Sequence, residues 1–193
     1  LVPAWLRTEG VGLAEIGFFA LIGFPYTWKF LWSPVMDRFT LPFLGHRRGW
    51  MLVTQLFLLG SIGVMGFIKP DLSLWTVAYL SAAIAFFSAS QDIVIDAYRI
   101  ESAPDDLQAL MSSAYIAGYR IGMLAAGAGS LKLAAWFGSG DAYVYLAWRF
   151  AYLCMAGTML VGVITTLVIP EPQTQARPSP YLNGLAHYLR FLG

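Results

Sequence analysis

Long apolar stretches alternate with short polar joints along the chain. A helix needs about 20 mostly apolar residues to cross the roughly 30 Å hydrocarbon core of a bilayer. No run of alternating apolar and polar residues is long enough to indicate a membrane barrel. The pattern predicts an all-α membrane protein with five transmembrane helices, at Leu13–Val35, Trp50–Ile68, Leu74–Ala97, Ala109–Trp136 and Ala147–Ile169.

Residues 1–170 are predicted to form one helical bundle and residues 171–193 a tail. The opening LVPAWLRTEG is typical of the last turn of a preceding helix, so we expect the chain to be a piece of a longer protein. The tail is predicted to lie in the cytoplasm, and the Pro-rich stretch PEPQTQARPSP, which begins at Pro170, leads into it. An interfacial amphipathic helix is predicted after it, because apolar side chains recur on one face, at Tyr181, Leu182, Leu185, Tyr188, Leu189 and Leu192.

Composition supports a membrane protein and narrows its chemistry. Hydrophobic residues make up 58% of the chain and charged residues 12%, with a mean hydropathy of +0.63. A net charge of +1 without a basic block argues against nucleic acid as a partner. The single cysteine, Cys154, cannot form an internal disulfide. No metal-ligand spacing, phosphate loop or Ser-His pair is recognisable, so neither an enzyme nor a cofactor is predicted.

Basic residues predict the orientation of the bundle. The densest basic cluster, HRR at 46–48, places the joint at Asp37–Gly49 in the cytoplasm. Six basic residues then lie inside, namely Arg38, Arg47, Arg48, Arg99, Arg177 and Arg190, and four lie outside, namely Arg7, Lys69, Lys132 and Arg149.

Charged residues inside the predicted spans are candidates for function. At 1.5 Å per residue, Asp92 lies roughly 10 Å deep, Lys29 roughly 12 Å and Arg120 about 15 Å. Asp96 lies one turn from Asp92 and close to the surface, where it can be solvated by water or pair with Arg99. Such groups either form buried ion pairs that hold helices together or line a polar cavity for a substrate or protons.

Several segments carry a resemblance to a known family. The stretch SPVMDRFTLPFLGHRRGW resembles the signature between the second and third helices of the major facilitator superfamily, with an Asp-Arg pair, a Gly and a basic doublet. It departs from that signature by having Ser33–Pro34 near an expected Gly and a long spacing before Gly45. Four segments in order, KFLWSPVMDR, RRGWMLVTQ, FFSASQDIVIDAYR and GYRIGML, resemble the AmpG muropeptide permeases.

The resemblance implies a proton-driven importer in the bacterial inner membrane that carries anhydromuropeptides (GlcNAc-anhydroMurNAc peptides) into the cytoplasm. This chain would be most of its N-terminal half, and the tail would lead to a missing C-terminal half. The related acetyl-coenzyme A transporters share a similar Gln-Asp pair and stay open as an alternative. A non-transporting receptor or assembly subunit, and an intramembrane transferase, stay open as well.

Within that family the intramembrane residues receive expected roles. Asp92 would couple protons or bind a substrate hydroxyl, with Asp96 as a weaker candidate, and Gln91 would suit a sugar or N-acetyl group. Arg120 and Lys29 would receive carboxylates. Tyr119, Tyr26 and Trp28 would either stack on sugar rings or serve as packing residues. A cytoplasmic gate would be formed by Asp37, Arg38, Gly45, Arg47 and Arg48.

Overall fold

All secondary structure in the described part of the chain is helical. The computed structural model describes residues 2–10, 12, 17, 23–41, 44–69, 74–138 and 143–172. The helices are α1 (Val2–Glu9), α2 (Phe24–Trp28), α3 (Ser33–Arg38), α4 (His46–Met65), α5 (Leu74–Ser102), α6 (Gln108–Leu124), α7 (Ser130–Trp136) and α8 (Tyr145–Val168). The predicted tail, with its linker and amphipathic helix, lies outside the described residues.

Three helices are long and apolar enough to cross a membrane, namely α4, α5 and α8. They confirm the second, third and fifth predicted spans. Two of them extend beyond the apolar run into polar sequence. α4 starts at His46 rather than Trp50, and α5 continues to Ser102 rather than ending at Ala97. Contacts among their polar end residues account for this extension and are described below.

The fourth predicted span is helical throughout but contains a π segment. Residues Ala125–Gly129 form this wider turn between α6 and α7. Its sequence is AAGAG, and small side chains leave room for a change in helical pitch. At its end, Ser130 Oγ donates a hydrogen bond of 2.9 Å to the carbonyl of Gly127.

The first predicted span, Leu13–Val35, is not a continuous α-helix where the structure describes it. α2 is followed by a 3-10 turn at Lys29–Leu31 and then by α3, which ends at Arg38. Pro34 lies in the first turn of α3, where it has no backbone N–H to donate to the preceding turn. The hydrophobic pattern predicted an apolar helical segment here, but it did not predict the interruption of the α-helix at Lys29–Leu31.

α4 is the central helix, because it packs against both α5 and α8. One hydrophobic core joins α1 to the bundle, and Trp5 and Leu6 are fully buried in it. We call this end of the bundle the Trp5 end. A smaller core of Met36, Met51 and Val94 lies at the other end, which we call the Arg47 end. α6 is exposed along most of its length.

Candidate functional site

Arg47 joins three helices at the Arg47 end. Its Nη1 lies 2.6 Å from Asp37 Oδ1 on α3, and its Nη2 lies 2.6 Å from Glu101 Oε1 on α5. Its Nε also donates to both oxygens of Glu101, at 3.1 and 3.0 Å. We call these three residues the Arg47 network. The side chain of Arg47 is 11% exposed, that of Glu101 25% and that of Asp37 51%, so water and salt reach the Asp37 contact more easily.

Arg48 binds a different part of the bundle. Its Nε donates to the carbonyl of Thr166 at 3.0 Å, and its Nη2 donates to the carbonyl of Leu167 at 2.8 Å. Both carbonyls lie in the last turn of α8, where the helix has no backbone donors left for them. Arg48 therefore ties the start of α4 to the end of α8.

The structure brings together most of the predicted gate residues. Asp37 and Arg47 contact each other, and Arg48 contacts the end of α8. Gly45 directly precedes α4 and has a positive φ of 94°. Arg38 is exposed and forms no ion pair within the described residues. Sequence analysis did not identify Glu101 or Glu171, which accept hydrogen bonds from Arg47 and from the start of α4. Both carboxylates lie just after a predicted span, on the same side of the membrane as the HRR cluster. That position was the sequence signal that could have identified them.

A second polar cluster lies farther along α5 from the Arg47 end, where α2 meets α5. The hydroxyl of Tyr26 is 2.5 Å from Ser88 Oγ. Ser88 is one helical turn from Asp92 and on the same face. Asp92 is half-buried, and its charge reaches the hydroxyls of Tyr26 and Tyr115.

Asp92 interacts with a cation without pairing directly to it. Lys29 is close enough for its charge to act on the Asp92 carboxylate. Among the described residues, however, no cation lies within the 4.0 Å of a salt bridge from Asp92. The break in the first predicted span places Lys29 in the 3-10 turn between α2 and α3. An ionisable group in such a position normally faces a bundle interior or a water-filled path.

Asp96 has a different environment. It lies 3.6 Å from Arg99, one turn along α5. Arg99 also donates to Ser112 Oγ and lies over the ring of Tyr115, 5.6 Å from its centroid. Asp96 is therefore already neutralised by a neighbour on its own helix, whereas Asp92 is not.

The remaining predicted residues are not drawn into one cluster. Tyr119 is exposed on α6 and interacts electrostatically with Tyr26 of the second polar cluster. Arg120 is also exposed on α6 and has no ion pair in the part of the chain that the structure describes. The side-chain oxygen of Gln91 is buried and lacks a hydrogen-bond partner among the described residues. Trp28 stacks on Phe24 and Phe30, with ring centroids 5.5 and 6.0 Å apart, in an apolar groove.

Comparison with known proteins agrees with this architecture. Residues 1–188 match the Major Facilitator Superfamily. The chain is 45% identical to the anhydromuropeptide permease of Escherichia coli (strain K12) over 179 residues. This match covers 93% of the chain and 35% of the permease. The chain is 39% identical to AmpG 3 of Rickettsia prowazekii, over 91% of the chain and 41% of that protein. AmpG 4 of Rickettsia felis is 33% identical, over 89% of the chain and 41% of that protein.

The chain thus spans between about a third and about two fifths of the length of these relatives. These three relatives are named as permeases or transporters, and the apolar helices of the chain fit a protein that crosses the membrane several times. The superfamily match extends over nearly the whole chain, and the described residues form the helical bundle that the resemblance implies. The chain therefore belongs to the major facilitator superfamily.

Proposed function

We propose that this chain is part of a secondary active transporter that imports cell-wall anhydromuropeptides into the cytoplasm, driven by protons. The substrate class is proposed from the 45% identity to the anhydromuropeptide permease of Escherichia coli. The expected location is the bacterial inner membrane. The expected partners are the muropeptide, protons, the lipid bilayer and the C-terminal half of the same carrier.

The environment of Asp92 carries the proposal of proton coupling. A carboxylate with a direct salt bridge stays ionised, because protonation would break the pair. Asp92 has Lys29 nearby but no cation at salt-bridge distance among the described residues. Protonation of Asp92 is therefore compatible with the fold, and it can be linked to the side of the membrane to which the carrier is open.

The groups around Asp92 suit a ligand with hydroxyl, amide and carboxylate groups. Tyr26 and Ser88 offer hydroxyls, and Lys29 offers an ammonium that is free to receive a carboxylate once Asp92 is protonated. Arg120 and Tyr119 would approach from α6, whose exposed face leaves both side chains accessible. The side-chain oxygen of Gln91 is buried and has no hydrogen-bond partner among the described residues, and it would accept an acetamido N–H when alternating access exposes it.

The Arg47 network would serve as the cytoplasmic gate. Alternating access requires helices to move against one another around a central site. Arg47 connects α3, α4 and α5 through contacts that are partly open to water, so these contacts can break and re-form during transport. Asp92 lies on α5, the same helix as Glu101, which offers a direct mechanical link between site and gate.

Uptake by the full-length carrier tests this function. The carrier is reconstituted in liposomes, and uptake of radiolabelled GlcNAc-anhydroMurNAc peptide is followed with an inward proton gradient. We expect accumulation that stops when the gradient is dissipated. Acetyl-coenzyme A is supplied as the competing substrate in parallel. Uptake of acetyl-coenzyme A without muropeptide uptake would assign the carrier to the other substrate class, and uptake of neither would favour a non-transporting role.

A further inference from the structure

The chain that leaves α8 is held against the Arg47 end by three sets of contacts. Arg48 binds the carbonyls of Thr166 and Leu167. The hydroxyl of Tyr98, on α5, donates to the carbonyl of Pro170 at 2.9 Å. The carboxylate of Glu171 accepts the backbone N–H of Arg47 at 2.7 Å and that of Arg48 at 3.0 Å.

The contacts of Arg48 and Glu171 are reciprocal. Glu171 places a negative charge at the N-terminus of α4, and Arg48 places a positive charge at the C-terminus of α8. Each charge lies at the helix end whose dipole attracts it. Gly45, the residue that precedes α4, has no side chain to cap the free N–H groups. Glu171, which lies 124 residues after Arg47 in the chain, supplies the cap instead.

The turn before α4 is built around the Glu171 side chain. Gly45 has a φ of +94°, which side chains rarely allow. A Cβ at this position would lie 2.6 Å from Cδ of Glu171 and 2.8 Å from its Cγ. An alanine at this position would therefore adopt a rarely allowed backbone conformation and would also force the end of the Glu171 side chain to shift.

We propose that Glu171 is a positioning residue of the gate. It fixes the Gly45–Arg48 turn and thereby holds the Arg47 guanidinium between Asp37 and Glu101. As a consequence, the segment that follows α8 moves together with the gate. The link to transport rests on the proposed function, whereas the contact between Gly45 and Glu171 is a property of the fold and can be tested without substrate.

Variants of the full-length carrier test both parts. Glu171→Gln keeps the size of the side chain but loses its charge, and Glu171→Ala removes the side chain. Gly45→Ala is combined with each. Gly138→Ala is the matched control, because Gly138 has a φ of +107° but no atom of the described residues lies within 4 Å of where its Cβ would be. Thermal unfolding in detergent and the initial rate of muropeptide uptake are measured for all of them.

We expect Gly45→Ala to lower Tm more than Gly138→Ala does. This extra loss of Tm should be at least about 2 °C. It should disappear in the Glu171→Ala background and persist in the Glu171→Gln background. Additive Tm losses in every combination would overturn the steric coupling. If Gly45→Ala does not yield folded protein, recovery of folded protein in the Glu171→Ala background is the same result.

The gate role is tested by Glu171→Gln. We expect a several-fold lower Vmax with KM close to that of the wild type, because the substrate site is distant from the turn. A lower Tm with unchanged Vmax would show a structural role only and would overturn the proposal. Failure of the wild type to take up muropeptide would reject the proposed function instead, and the Tm comparison would still decide the coupling.

Discussion

Arg47 and Glu101 are 54 residues apart in the chain, yet their side chains meet through three contacts of 2.6 to 3.1 Å. Asp37 contributes one contact of 2.6 Å to the same guanidinium. Glu101 therefore makes more contacts with Arg47 than Asp37 does, and it is less exposed. For this reason we expect neutral replacements of the two carboxylates to lower stability by different amounts.

Glu101→Gln should destabilise the full-length carrier more than Asp37→Asn. Hydrogen bonds to charged groups contribute about 1.5–3 kcal/mol when shielded, and exposed ion pairs contribute roughly 0–1 kcal/mol. Thermal unfolding in detergent measures the stability of both variants.

Asp37→Asn should still slow transport while substrate binding is largely retained, because the gate contact is weakened without a change in the substrate site. An Asp37→Asn variant that loses binding as severely as uptake would argue against a gate role.

A buried hydrogen bond between α4 and α8 gives a prediction about stability alone. Thr166 Oγ1 donates to Gln55 Oε1 at 3.0 Å, and both residues are buried. Thr166→Val should cost about 1 kcal/mol, because the Gln55 oxygen is left without this donor. Thr165→Val is the control, since Thr165 is exposed and donates only to Val161 on its own helix. Equal losses of Tm in both variants would show that the Gln55 contact adds nothing.

The hydroxyl contact between α2 and α5 predicts a coupled effect on substrate affinity. Tyr26→Phe and Ser88→Ala each remove one side of the 2.5 Å contact. Each should raise KM, and the double variant should raise it no further than the more severe single one, because the same hydrogen bond is lost. Uptake kinetics measure this. Independent, multiplicative effects of the two substitutions would mean that the residues act separately.

The predicted orientation can be tested by labelling. A cysteine at Arg38 should react only from the cytoplasm, and one at Lys69 only from the opposite side, in a carrier freed of Cys154 and other native cysteines. Both positions are exposed in the structure. Arg38 is the last residue of α3, on the side where α4 begins, and Lys69 lies beyond the other end of α4. Reaction of both cysteines from the same side would contradict the topology.

Sequence pattern predicted the fold best where a single physical requirement sets it. The apolar runs predict the membrane-crossing parts of α4, α5 and α8, because each must match the hydrocarbon thickness. They do not predict the polar ends of α4 and α5 at His46 and Ser102. The break near Lys29 depends on the local competition between Pro34 and the apolar run, which hydropathy does not record. Counting depth placed Lys29 and Asp92 at a similar level, and in the structure their charges interact.

Contacts between distant segments were beyond the reach of the sequence. Glu171 follows a predicted span and reads as part of a linker, and only the folded chain shows that it caps α4. Arg120 was grouped with Lys29 and Asp92 from its depth alone. Depth does not specify which way a helix faces, and Arg120 lies exposed on α6.

The most direct test of proton coupling is proton movement during uptake by Asp92→Asn. Full-length carrier in liposomes is loaded with a pH-sensitive dye, and muropeptide is added without an imposed gradient. The wild type should acidify the lumen as substrate enters. Asp92→Asn should fold but cause no substrate-dependent acidification, because the amide keeps the shape and cannot titrate, and Asp96→Asn should acidify nearly as the wild type does. Normal acidification by a stable Asp92→Asn protein would contradict the assignment of Asp92 as the coupling residue.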